Sequence, residues 1–201
     1  MKTKKLMERS AYHHGDLESA LLVEARTLVA KYGVEQISLR EIATNVGVSP
    51  SAAYHHFPDK NALLNAVAHV VFDELGVEMK NAVALHPGKT LTAARRRFRA
   101  TGESYVKFAR RNRNLFLLCF GPHCDHSQST KEETVAWNTM VGCLNELTEF
   151  GFINPKIRPY AEILAWSSIH GISNLVLDEM LPEEAVEPLL DGLELALRAE
   201  K

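Results

Sequence analysis

The sequence predicts an all-α protein, and three observations carry that expectation. Apolar residues recur at three- and four-residue spacing in one segment after another, with no strand signal and no internal repeat between them. Helix start and stop signals bracket the segments: Ser38 with Glu41, Ser49 with Pro50, Asp59 and Thr130 with Glu133 at the starts, Gly33, Gly47 and Gly151 at the stops. One further segment, Ile163 to Leu177, carries no Asp, Glu, Lys or Arg. The expected architecture is a three-helix N-terminal unit over residues 1–60 and a larger helical bundle over 61–201, with about nine helices in all.

Composition narrows the class. The chain has 201 residues, 46 % of them hydrophobic, which is enough to build a core. Net charge is −2, and it divides as +1 over residues 1–60 (8 Lys/Arg, 7 Asp/Glu) and −3 over the remainder (15 and 18). Any nucleic-acid binding must rest on a local patch. Three cysteines, odd in number and unpaired in spacing, argue against a disulfide framework and fit a reducing cytoplasm. The basic N-terminus lacks the apolar centre of a signal peptide, and no apolar run is long enough to span a bilayer, so no membrane association is expected.

Residues 1–11 are a basic tail, with Lys2, Lys4, Lys5 and Arg9, either solvated or an arm reaching phosphates. Asp16 is positioned to cap a first helix whose Leu17, Leu21, Ala25, Leu28 and Tyr32 form one face, ended by Gly33. Ser38 and Glu41 open a second helix with Ile42, Ala43 and Val46 inward; Gly47 stops it. Ser49 and Pro50 start a third at once, and Phe57-Pro58-Asp59 ends it. Two short helices around a glycine turn read as a helix-turn-helix, whose second helix lies in the DNA major groove.

A long helix follows from about Lys60 to Leu85 and links the two parts. After His86-Pro87-Gly88, a helix near 90–111 combines an apolar stripe with Arg95, Arg96, Arg97, Arg99, Arg110 and Arg111, a solvated face expected to pair with acidic residues elsewhere. Leu115 to Phe120 is a short apolar run, and a helix from Thr130 to about Gly151 buries Trp137 and Met140. The uncharged segment 163–177 must be covered on all sides, one of them best explained by a second subunit. The last helix is expected at about 183–199, with Pro188 marking a kink or a later start.

Residues 17–64 resemble the DNA-binding domain of the TetR family of bacterial transcriptional regulators. The matching pieces are Tyr32-Gly33, Ser38-Leu39-Arg40-Glu41-Ile42-Ala43, Val46-Gly47-Val48-Ser49, Ala53-Tyr54-His55-His56-Phe57 and Asp59-Lys60 with Leu63-Leu64. Trp166 to Gly171 resembles the Trp-His-Gly motif of one TetR subgroup, and Tyr12 to Leu17 the opening of that subgroup. The resemblance implies a homodimer whose first three helices bind double-stranded operator DNA, whose larger domain binds a small organic effector, and whose last two helices form a four-helix interface. The function expected is a cytoplasmic, ligand-responsive repressor released from a palindromic site. No enzyme activity and no cofactor are expected; no nucleophile elbow, phosphate loop or metal-binding helix motif occurs.

Single residues take roles on this basis. Ser38, Arg40, Ser49, Ser51, Tyr54, His55, His56 and Lys60 are the candidate DNA contacts, with His55 the more exposed of its pair and Ser38, Tyr54 and Lys60 assigned by the resemblance. Phe98, Tyr105, Phe116, Phe120, Trp137, Met140, Trp166 and His170 are candidates for an effector pocket, each with simple core packing as the plainer role. Ile169, Ile172, Leu175, Val176, Leu189, Leu193, Ala196 and Leu197 are the candidate dimer interface. The loop His123-Cys124-Asp125-His126 offers an alternative, a metal or thiol-redox sensor on the same scaffold; such close spacing strains a single tetrahedral site, and no metal site is assigned.

Overall fold

The computed structural model describes residues 14–121 and 134–200, the first three through their backbone alone. Among them it forms α1 (His14–Tyr32), α2 (Leu39–Val46), α3 (Pro50–His56), α4 (Lys60–Ala84), α5 (Leu91–Arg111), α6 (Arg113–Phe120), α7 (Val135–Glu149), α8 (Ala161–Leu177) and α9 (Val186–Leu197), with short 3-10 turns before α8 and α9. The only strand-like pairing among the described residues is an isolated antiparallel bridge between Ile153 and Arg198. The basic tail, the Thr130/Glu133 box and the His123–His126 loop fall outside the described residues.

Local chemistry fixes the helix ends. Ser38 Oγ accepts from the Glu41 N–H at 3.1 Å, Ser49 Oγ from Ala52 at 3.2 Å and Asp59 Oδ1 from Ala62 at 2.8 Å. Each satisfies one of the N–H groups that a helix start leaves unpaired. Gly47 turns the chain at φ 82°, a left-handed conformation that favours glycine, and this brings α3 directly after α2. Three boundaries differ from expectation. α1 starts at His14, so Asp16 lies within it. α7 starts on Thr134, whose hydroxyl accepts from Trp137 N–H at 3.2 Å. The last helix begins at Val186, leaving Pro188 in its first turn, where it disrupts no helical hydrogen bond.

α1, α2 and α3 share a core of Leu21, Ala25, Val29, Leu39, Ile42, Ala53 and Phe57, which continues into Leu63, Leu64 and Val67 of α4. α4 then runs on into the larger bundle, packing against α5, α6 and α7. Gly76 permits the α4–α7 approach: a Cβ there would lie 2.6 Å from Val135 Cβ and 2.8 Å from the Ala136 backbone nitrogen.

Five of the six arginines on the basic face of α5 are paired as expected, and Arg96 is exposed. Arg95 and Arg99 reach Glu194 and Asp191 of α9, Arg97 reaches Glu146 of α7 and the carbonyls of His86 and Gly88, Arg110 reaches Glu183 and Arg111 reaches Glu78. Singly, such pairs contribute little at the surface; as a ladder they fix how α7 and α9 sit on α5.

Candidate nucleic-acid interface and interior cavity

The helix-turn-helix presents one polar face. Ser38, Arg40, Ser49, Ser51, Tyr54 and His55 are exposed on it, and Lys60 is half-buried at the start of α4. The face is built by the caps themselves: the N-termini of α2, α3 and α4 carry Ser38, Ser49 and Lys60, where backbone N–H groups and helix dipoles favour an anion. Its cations are Arg40 and Lys60, since α3 contains no Lys or Arg. His56 departs from the expected set. Its side chain is only 16 % exposed and its Nδ1 lies 3.9 Å from Glu18 of α1, because the residue falls on the side of α3 that faces α1.

In the larger bundle, α4, α5, α7, α8 and α9 converge on a small cavity of about 20 Å³, room for roughly one water. Four of the candidate effector residues, Phe98, Tyr105, Met140 and Trp166, line it. Phe116, Phe120 and His170 stand behind Tyr105 instead, with ring centroids 5.6, 6.3 and 6.4 Å from it, and Trp137 packs on Trp166 at 5.6 Å. The Tyr105 hydroxyl and His170 Nδ1 are 3.1 Å apart, within hydrogen-bond distance. Met79, Arg99, Thr101, Gly102, Ala165, Leu190 and Glu194 also line it, together with Ile169 and Leu193, which were expected at a subunit interface.

Two links join this cluster to the DNA-binding unit. Arg26 of α1 makes a two-pronged bond to Glu74 of α4, at 2.8 and 2.7 Å. Asn114 Nδ2 of α6 donates to the Ala30 carbonyl of α1 at 3.0 Å. α6 also carries Phe116 and Phe120, so the helix that backs the cavity is tethered to α1. Sequence reasoning missed all three linking side chains, Arg26, Glu74 and Asn114, since nothing in their local pattern sets them apart from surface polar residues.

The comparisons with known proteins cover both parts of the chain. Residues 21–67 match the family model "Bacterial regulatory proteins, tetR family", and residues 98–197 match "Tetracyclin repressor-like, C-terminal domain". A solved structure from Rhodococcus sp. RHA1, described as a protein with unknown function, is 30 % identical, covering 94 % of this chain and 100 % of that one, with a TM-score of 0.71. The chain belongs to the TetR family. An uncharacterized HTH-type transcriptional regulator of Haemophilus influenzae is 28 % identical over 74 % of this chain and 68 % of its own length. A putative TetR regulator from Vibrio parahaemolyticus shares the fold at TM-score 0.65, with 17 % identity over 90 % of this chain and 98 % of that one. This TetR-family chain is therefore a DNA-binding transcriptional regulator and not an enzyme.

Burial sets the phase of the last two helices of this TetR-family chain. Ile169, Ile172, Leu193 and Leu197 face inward in their own subunit, which corrects their assignment to an interface. Val176 is half-buried, while Leu175, Leu189 and Ala196 are exposed. The outward face of α8 consists of Ile163 (59 % exposed), Ser167, Gly171 and Leu175 (42 %), at four-residue spacing. α9 adds Leu189, Gly192, Leu195 and Ala196. No described helix is long and apolar enough to cross a membrane.

Among the described residues no group of three or more His, Cys, Asp or Glu side chains is placed to hold a metal. Cys119 and Cys143 are buried thiols. Burial, reinforced by the nearby Glu146 charge, pushes the Cys143 thiol up to about 11 from its ordinary 9.0. Burial also raises Tyr105 well above its ordinary 10.0, so its hydroxyl stays neutral. Both shifts mean that the folded state holds its protons more tightly than the unfolded chain does. The Cys143 contribution is complete below pH 9 and is lost as pH rises through about 11, whereas that of Tyr105 is complete below pH 10 and is lost only at higher pH. Urea midpoints should thus fall between pH 9 and 11, and Cys143→Ser should flatten part of that fall. A midpoint independent of pH over that window would contradict the burial argument.

Proposed function

We propose that this chain is a one-component repressor: a cytoplasmic homodimer that holds a palindromic operator and releases it when a small organic effector enters the cavity. Residues 1–60 form the DNA-binding part, with any N-terminal arm, and 61–201 the effector and dimerisation part. Ser38, Arg40, Ser49, Ser51, Tyr54, His55 and Lys60 are the operator contacts. Lys60 and Ser38 hold phosphates, and Ser49, Ser51, Tyr54 and His55 approach base edges or the backbone between them. Two copies meet through the outward faces of α8 and α9.

The observation that carries the switch is the tethering of the cavity to α1. Opening a cavity of about 20 Å³ to admit a ligand displaces Tyr105 and the Phe116–Phe120 wall behind it. α6 carries that wall and holds Ala30 through Asn114, while Glu74 of α4 holds Arg26. A shift of α4 and α6 thus re-aims α1 and the recognition helix. The effector works by favouring the arrangement whose two recognition helices no longer fit one face of DNA. A hundredfold loss of operator affinity needs a coupling of about 2.7 kcal/mol.

The test is selection of DNA from a random pool by the purified protein. The recovered sites should be palindromes with half-sites about one helical turn apart. Recovery of single half-sites, or of no common sequence, would defeat the dimeric reading.

A further inference from the structure

We propose that the effector admitted by this cavity is an uncharged, single-ring aromatic molecule, and that Gly102 sets the limit on its size. The inference rests on reading the cavity as the effector site.

The wall is apolar apart from Arg99, Thr101, Glu194 and the Tyr105 hydroxyl, and each polar group in it already has its bond. Thr101 Oγ1 donates to the Phe98 carbonyl at 2.7 Å. Glu194 accepts from Arg95 at 2.9 and 2.7 Å. Arg99 donates to Glu103 at 3.0 Å and to Asp191. Tyr105 is bonded to His170. No buried side-chain nitrogen or oxygen among the described residues lacks a partner. A carboxylate entering here meets Glu194, and an ammonium meets Arg99. Neither finds an uncompensated counter-charge, so each loses hydration without replacement. An uncharged ring loses little and gains contact with Phe98, Tyr105, Trp166 and the two methionines. A ligand hydroxyl can share the Tyr105 hydroxyl without breaking an ion pair.

Size follows from which walls can give way. Benzene occupies a cavity of about 150 Å³. Met79 of α4 and Met140 of α7 are unbranched and repack readily, so rotamer changes can open room for one ring. A larger ligand has to part α5 from α9 and break the Arg95/Arg99–Glu194 ladder. Gly102 faces that seam. A Cβ there would lie 2.9 Å from Leu190 Cδ2 and 3.3 Å from Ile169 Cδ1, both cavity-lining side chains that would have to shift to make room for it.

The test uses the whole 201-residue chain and three probes of one shape: benzyl alcohol, benzoate and benzylamine. Binding is measured by calorimetry at pH 7, and operator affinity by fluorescence anisotropy in parallel samples. Benzyl alcohol should bind at least about tenfold tighter than either charged probe. Gly102→Ala, shown folded by circular dichroism, should lower its affinity at least about tenfold. Met140→Ala enlarges the same cavity and should raise affinity for 2-naphthylmethanol by a similar factor. Equal or tighter binding of benzoate or benzylamine overturns the proposal, as does the absence of binding by all three probes or the indifference of both variants. Binding with the expected preference but unaltered operator affinity upholds the ligand class and instead defeats the effector reading.

Discussion

Tyr54→Ala should weaken operator binding by about 1–3 kcal/mol, and Lys60→Ala by a similar amount, while the assembly keeps its mass. The two variants differ in how they fail. Tyr54 is 43 % exposed on α3 and takes no part in the core, so its loss removes a contact to DNA without loosening the three-helix unit. Lys60 is the first residue of α4, behind the Asp59 cap, at a helix N-terminus that already favours a phosphate. Its removal should cut affinity about evenly across operator sequences and reduce the slope of log K against log salt by about one. Tyr54→Ala should leave that slope nearly unchanged if the hydroxyl reads a base edge. Mobility shifts at several salt concentrations separate the two. If both variants bound operator like the parent protein, the recognition face would lie elsewhere.

What the sequence made legible was what depends on near neighbours. Ser38, Ser49 and Asp59 cap the helices they were expected to cap, and Gly47 makes the expected turn, because each acts on backbone within three or four residues of itself. The pairing of the α5 arginines was legible for a similar reason: charge that dense has to be solvated or matched. His56 was misplaced because its environment is set by Glu18 on α1, far away in sequence. The α7 start was assigned to Thr130 when Thr134 provides it, since two threonines four residues apart offer similar caps.

The phase of α8 was not legible, for a physical reason. A helix without a charged residue has no polar face to show which side points out, so Ile169 and Ile172 looked as suited to an interface as Leu175 does. Only packing against α5 and α9 decides it. The same holds for the cavity. Aromatic side chains announced a ring-lined site, but Gly102 and Ala165 define its shape by what they lack, and a missing side chain leaves no sequence signal.

That phase leads to the second large effect. Gly171→Arg should convert the proposed dimer to single chains and reduce operator affinity by a factor on the order of 10²–10⁴, the advantage of holding two half-sites at once. Gly171 sits midway along the outward stripe Ile163, Ser167, Gly171, Leu175, and a Cβ added there meets nothing within 4 Å in its own subunit. The substitution therefore costs the monomer fold little, while two arginines brought together across a two-fold interface must desolvate like charges. Leu85→Arg, at the C-terminal end of α4 and 77 % exposed, is the control and should remain dimeric. Sedimentation equilibrium of both variants gives the answer; a Gly171→Arg protein that stayed dimeric would move the interface off α8. The position matters beyond assembly. Ile169, two residues before Gly171, lines the cavity, so one turn of α8 is the wall of the ligand site on one side and the proposed subunit contact on the other. A ligand that pushes Ile169 outward pushes on the partner as well. The same turn that transmits the effector's presence to its own α1 through α5 and α6 would then bias the second subunit, and operator release would be steeper in ligand concentration for the dimer than a single site allows.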